Sequence, residues 1–207
     1  LDSLYKTADK LAWLAWQVLP GKRRLALANL RIAFPAKGER WRKEVAKGAF
    51  RNLAANMMEF LRLPYLSETE LEELVRLEGE ERLQEALAEG GAIYYTGHFG
   101  NWELMGARLT AAGYPLCVIA RELHDPIMSK LVASYRQQAK FTVLEGKSAA
   151  RLSLEALRQG KLLGILNDQD AGSTAPMVPF FGRAAATAPG PVVLAARTGS
   201  KIVPAFC

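Results

Sequence analysis

Residues 92–103, AIYYTGHFGNWE, carry a strand, a turn and a helix start within twelve positions. Ala92 to Thr96 has the β-branched and aromatic bias of a buried strand, and Gly97 and Gly100 bracket a polar turn holding His98. Asn101 then reads as the N-cap of a helix with Glu103 in its first turn. Two residues five apart in one helix point about 140° from each other. His98 and Glu103 therefore meet only if the histidine lies in the turn and the glutamate in the helix, an arrangement the pattern allows. A carboxylate on one imidazole N–H fixes the tautomer and leaves the other nitrogen as a general base. The same residues also suit a turn-capping histidine and a glutamate favoured by the helix dipole, so on their chemistry alone both readings stay open.

Downstream of this stretch, strands and helices alternate. Strands are expected near 92–97, 115–121, 140–145, 162–167 and 201–206, and helices near 102–112, 127–138, 148–159 and 187–198. Such alternation indicates an α/β sheet covered on both faces. Upstream the period is helical. Residues 2–19 form an amphipathic run, a second run follows the Lys22-Arg23-Arg24 cluster and closes at Pro35, and residues 39–63 read as one long helix. Val45, Phe50, Leu53, Met57, Phe60 and Leu61 make an apolar stripe on that helix. An acidic helical run over 67–89 opens with a Ser67–Glu70 capping box. The expected fold is α/β, a central mainly parallel or mixed sheet flanked by helices, with an N-terminal helical layer. The expected organisation is a single domain over 1–207, its helical part at 1–90 and an α/β part carrying the site at 91–207. Because the chain starts at Leu1 and stops at Cys207 directly after a strand, it reads as a piece of a longer protein.

With 207 residues and 50% hydrophobic content, the chain can bury one full core. Its formal charge of +6 points to anionic partners: phospholipid headgroups, an acidic carrier protein or nucleic acid. No RNA-binding spacing of aromatics and arginines and no zinc-finger pattern is present, which makes nucleic acid the weakest of the three. Two cysteines, Cys117 and Cys207, cannot form a dense disulfide framework, and Cys117 sits in a strand-like apolar run as a small core residue. Trp13 and Trp16 beside the Lys22-Arg23-Arg24 cluster fit either an interfacial membrane segment or a packed helix with a solvated basic end.

In an open α/β sheet, ligands gather at the carboxyl ends of strands, and several polar residues fall there. Arg121 ends the strand PLCVIA, and Arg136 lies on the helix that follows. Guanidinium groups suit bidentate phosphate recognition or an oxyanion, though each is also an ordinary surface residue. His124, in a loop before Pro126, reads as incidental. The run LLGILNDQDAG breaks from strand into Asn167, Asp168 and Asp170, which fits either a site or an Asx turn. Asp168 and Asp170 with His98 and Glu103 lack the spacing of any metal motif, so no metal and no cofactor is expected.

The string GHFGNWE resembles the H-x4-[D/E] motif of bacterial lipid acyltransferases, most closely the lipid A biosynthesis late acyltransferases. The resemblance runs from about residue 20 to 207. It is densest at 97–104; at 121–136, where Arg121 precedes Asp125-Pro126 and Arg136; at 162–172; and at 178–206, where MVPFFGRAAAT matches a family block. It implies a glycerolipid acyltransferase-like α/β fold and an O-acyltransferase that moves a fatty acyl chain from an acyl carrier protein or acyl-CoA thioester to a hydroxyl of a lipid A precursor. His98 would be the base and Glu103 its orienting partner. Arg136 or Arg121 would meet the oxyanion or a substrate phosphate, with Asn101, Gly100, Asp168, Phe180, Phe181 and Arg183 in supporting or substrate-binding positions. Val178, Phe180 and Phe181 would wall the site against an acyl chain. It further implies an anionic membrane surface at the cytoplasmic face of the bacterial inner membrane. Phosphatidylinositol mannoside acyltransferases share the histidine and the acidic residue, so the acceptor stays open between them and lipid A. A noncatalytic lipid-binding module and a metal-dependent lipid hydrolase are the contrasting classes.

Overall fold

The computed structural model describes residues 2–120 and 125–207, which form two compact units. One comprises residues 1–61 with 177–186, and the other residues 62–176 with 187–207.

In the second unit, five strands pair in the order β3-β2-β4-β1-β7: β1 (Ala92–Thr96), β2 (Leu116–Ile119), β3 (Thr142–Leu144), β4 (Leu162–Leu166) and β7 (Lys201–Pro204). Every pair is parallel, as strands linked by crossover helices must be. Both faces of such a sheet are covered, so alternate residues of each strand feed two separate cores. Ala92, Tyr94, Leu116 and Leu162 pack with Leu83, Met105 and Leu109 on α5 (Glu80–Ala88) and α6 (Trp102–Ala111). Ile93, Cys117, Leu163 and Ile165 pack on the other side with Ala156 and Leu157 of α8 (Ala149–Arg158) and Leu194 of α9 (Gly190–Thr198). Ile93, Leu162 and Leu163 are fully buried, each contributing about 1.5–3 kcal/mol of transfer free energy. Cys117 is buried as expected, and burial pushes its thiol up. The remaining helix of this sheet, α7 (Pro126–Gln138), starts at the Asp125 cap, whose carboxylate accepts from the Met128 N–H.

The acidic run at 67–89 is two helices. After the α4 helix (Glu68–Leu74) the chain extends through Val75, and Gly79, at φ 73°, restarts it as α5. Leu83 and Ala86 lie in the sheet's own core. The hairpin of β5 (Met177–Phe180) and β6 (Arg183–Ala186), which the sequence reading left unassigned, belongs to the first unit.

The first unit also holds α1 (Asp2–Val18), α2 (Pro20–Ala33) and α3 (Glu39–Arg62). α1 runs antiparallel to α3, tied by Tyr5 to Glu59 at 2.8 Å, Asp9 to Arg51 at 3.7 Å and an edge contact of Trp16 with Phe50. Its buried positions are small: Ala8, Ala12 and Ala46. The apolar stripe of α3 is largely exposed at Val45, Leu53, Met57 and Leu61. Arg42 is the buried exception, donating to the carbonyls of Phe34 and Pro35. Among the described residues, no helix is long and apolar enough to cross a membrane.

Candidate functional site

β1 and β4 are neighbours in parallel register, with Thr96 opposite Leu166. Each strand ends there, and two residues further on stand His98 and Asp168. Equal offsets from paired strand ends bring the two side chains together. His98 Nδ1 lies 2.8 Å from Asp168 Oδ1, and the His98 backbone N–H donates to Asp168 Oδ2 at 2.7 Å. A carboxylate only accepts, so Nδ1 carries the proton and Nε2 presents its lone pair. The site has the orienting contact expected for a base, but with Asp168 where Glu103 was expected.

Glu103 is engaged elsewhere. Its two oxygens take Arg136 Nε at 3.1 Å and Nη2 at 2.5 Å, a bidentate pair joining the first turn of α6 to the last turn of α7. The indole N–H of Trp102 also donates to Glu103 at 3.2 Å, and the Trp102 ring meets His98 edge to face, centroids 4.8 Å apart. Five-residue spacing set Glu103 one turn past the histidine. The intervening Trp102 fills the gap.

The turn itself is shaped by its glycines. A Cβ on Gly97 would stand 2.9 Å from the Asp168 carboxyl carbon, and one on Gly100 (φ 61°) would strike the carbonyl oxygen of Cys207 at 1.7 Å. Asn101 caps α6 by accepting from the Leu104 N–H, as the sequence suggested. Asn167 bonds the Tyr95 hydroxyl and the Ala188 carbonyl, which anchors the segment carrying Asp168. Asp170 accepts from the Gly172 N–H in an Asx turn.

His98, Trp102 and Arg136 face a cavity of about 780 Å³ at the carboxyl edge of the sheet. Its lining is mixed, with Val132, Val143, Ile165 and Leu194 among the apolar residues and Glu145, Gln169 and Asp170 among the polar ones. A volume in the range of ligand sites, with both apolar and polar lining and an imidazole facing it, suits a substrate with an apolar part and a polar end. Arg121 and His124 lie outside the described residues. Phe180, Phe181 and Arg183 lie in the hairpin of the first unit, and the described residues lining this cavity belong to the second. Among the described residues, no group of three or more histidines, cysteines, aspartates or glutamates is placed to hold a metal ion.

The sequence matches the family of bacterial lipid A biosynthesis acyltransferases over residues 1–207. The chain belongs to that family. Among its relatives is the phosphatidylinositol mannoside acyltransferase of Mycobacterium tuberculosis, in strains CDC 1551 and H37Rv, 30% identical over 156 residues. That match covers 72% of this chain and 49% of the relative. A lipid A biosynthesis acyltransferase of Haemophilus influenzae is 25% identical over 209 residues, 98% of this chain and 65% of the relative. The chain thus spans about half the length of the mycobacterial relatives it matches. For a member of this family, the Asp168 contact is the finding that the H-x4-[D/E] spacing alone did not disclose.

Proposed function

We propose that the protein is an O-acyltransferase that moves a fatty acyl chain from a thioester to a glycolipid hydroxyl, with His98 as general base. The observation that carries this reading is the His98–Asp168 contact beside a cavity lined in part by apolar side chains. Nε2 takes the proton of the acceptor hydroxyl as its oxygen attacks the thioester carbon. The tetrahedral intermediate collapses with cleavage of the C–S bond, and the imidazolium returns the proton to the leaving thiolate. Asp168 keeps Nδ1 protonated and offsets the imidazolium charge. The N–H of His98 is committed to Asp168, so the oxyanion turns to another turn N–H or to Arg136, whose Nη1 is left over from the Glu103 pair. Each methylene of the acyl chain that leaves water for the cavity wall contributes about 0.8 kcal/mol.

The donor in this reading is an acyl carrier protein or acyl-CoA, and the acceptor is a lipid A precursor or, as the mycobacterial relatives favour, a phosphatidylinositol mannoside. The workplace is the cytoplasmic face of a bacterial inner membrane. Charge supports an anionic surface. The first unit holds thirteen lysines and arginines against five aspartates and glutamates, +8, which leaves −2 for the second. Trp13, Val18, Leu25 and Ile32 of the same unit are exposed, the combination that seats a helix at headgroup level.

Mass spectrometry of Kdo2-lipid IVA and of mannosylated phosphatidylinositol, each incubated with a mixed pool of acyl thioesters, tests the reading. One added acyl mass is expected on one acceptor, and its yield should fall by about 10²-fold or more in His98→Ala. Transfer undiminished in that variant would overturn the role of His98. An unmodified pair of acceptors, with folded enzyme, would overturn transfer to either glycolipid.

A further inference from the structure

We infer that Trp102 is a positioning residue for His98, and that Glu103 and Arg136 act on the histidine through it. The inference rests on the acyltransferase reading. It starts from the exposure of the base: the side chains of His98 and Asp168 are 37% and 43% accessible. A hydrogen bond that open to water holds one geometry over its alternatives by only about tenfold. Proton abstraction, by contrast, needs Nε2 within hydrogen-bond reach of one hydroxyl, so every turnover in which the ring has swung away is lost. Something besides Asp168 has to hold the imidazole plane.

Trp102 is the side chain in place to do so. Its ring meets the imidazole at 71° with centroids 4.8 Å apart, the edge-to-face geometry that aromatic pairs favour, and it lines the same cavity. A contact of this type contributes a further factor of roughly two to ten in favour of the packed rotamer. The indole is itself fixed. Its N–H donates to Glu103 Oε1, and that carboxylate is clamped by both Arg136 bonds in a pair whose side chains are only 13% and 21% accessible. Asn101 adds a backbone anchor by capping the helix one residue earlier. Rigidity is thus passed from a shielded ion pair to an indole and from the indole to an exposed imidazole. It gives Glu103 a reason to sit five residues after His98 without touching it.

The test uses thiol release from lauroyl-CoA in the presence of the glycolipid acceptor, with the intact protein and three variants. Trp102→Leu is expected to lower kcat about tenfold with KM for the thioester within twofold, because the ring contact is gone and the cavity remains. Trp102→Phe keeps an aromatic edge but loses the N–H bond to Glu103, so its kcat should fall about threefold, between wild type and Trp102→Leu. The chain has two histidines, His98 and His124, so imidazole ¹⁵N resonances are readily assigned. His98 should show a single Nδ1-protonated tautomer in wild type and Trp102→Phe, and a mixture in Trp102→Leu. Unchanged kcat and an unchanged tautomer in Trp102→Leu, with His98→Ala inactive, would overturn the positioning role and leave the acyltransferase reading standing. Full thiol release by His98→Ala would overturn that reading itself. Should Trp102→Leu not fold, nuclear Overhauser contacts between the imidazole and indole protons of the wild-type protein decide: their presence is expected, and their absence overturns the inference.

Discussion

Asp168 and Gly97 meet at the turn that carries His98. The carboxylate reaches both the ring and the backbone N–H of His98 because the residue before the histidine has no side chain to block it. Asp168→Asn removes the acceptor that keeps Nδ1 protonated, and a drop in kcat of about 10²-fold or more is expected. Glu103→Gln, which weakens a neighbouring pair without touching the imidazole, is expected to cost less. Steady-state kinetics of the two variants side by side check this, and an equal loss in both would return Glu103 to the role of direct partner. Gly97→Ala is expected to resemble Asp168→Asn in kcat while unfolding at nearly the same urea concentration, since the new methyl displaces the carboxylate and buries no cavity. Tyr94, on the same strand as the site, is no rival base: burial drives its phenol well above the usual range.

The helix α4 shows how a few local contacts set an element and its response to pH. The Ser67 hydroxyl accepts from the Glu70 N–H, and the Glu70 carboxylate accepts from the Ser67 N–H and hydroxyl. The Ser67 backbone bond is the main reason that the Glu70 carboxyl titrates below its ordinary 4.5. A carboxylate depressed in the folded state adds stability above its ordinary value and loses it as pH falls through the lowered one. Ser67→Ala is therefore expected to cost about 1 kcal/mol at pH 7, with the gap to wild type narrowing as pH falls through the lowered Glu70 value. Urea unfolding of both proteins at pH 7 and pH 3 measures it; a gap that widens on acidification would contradict the capping account. The same helices show why one acidic run became two. α4 stops where Val75 turns extended, Gly79 at a left-handed φ begins the next helix, and Leu83 of α5 packs onto the sheet.

Charge is divided between the units more sharply than the total of +6 suggests, with +8 on one and −2 on the other. A partner drawn by electrostatics would meet the first unit. Cosedimentation with phosphatidylglycerol vesicles is expected to exceed that with phosphatidylcholine vesicles and to weaken severalfold between 0.1 and 0.5 M salt, as the Debye length shrinks from about 10 Å. Replacing Lys22, Arg23 and Arg24 with Glu should abolish most of the difference. Equal binding to both lipids at both salt concentrations would show that apolar residues such as Trp13 alone carry the attachment.

Much of this was legible in the residues. Local signals extend over a few positions, so β-branched runs, helical periods, the Asn101 and Asp125 caps and the Gly-bracketed turn marked the five sheet strands and most helices to within a few residues of where they lie. His98 was legible for the same reason, as the one polar ring in the turn after a buried strand. Which carboxylate would meet it was not, because the pairing of β1 with β4 joins residues 70 apart in sequence, and no spacing between His98 and Asp168 encodes that adjacency. Glu103 was near in sequence and turned away in space, held by an arginine on another helix. The chain's hydrogen-bonding and apolar patterns determined its elements. Only the strand order, which obeys the burial of two whole faces at once, decided which of their ends share a site.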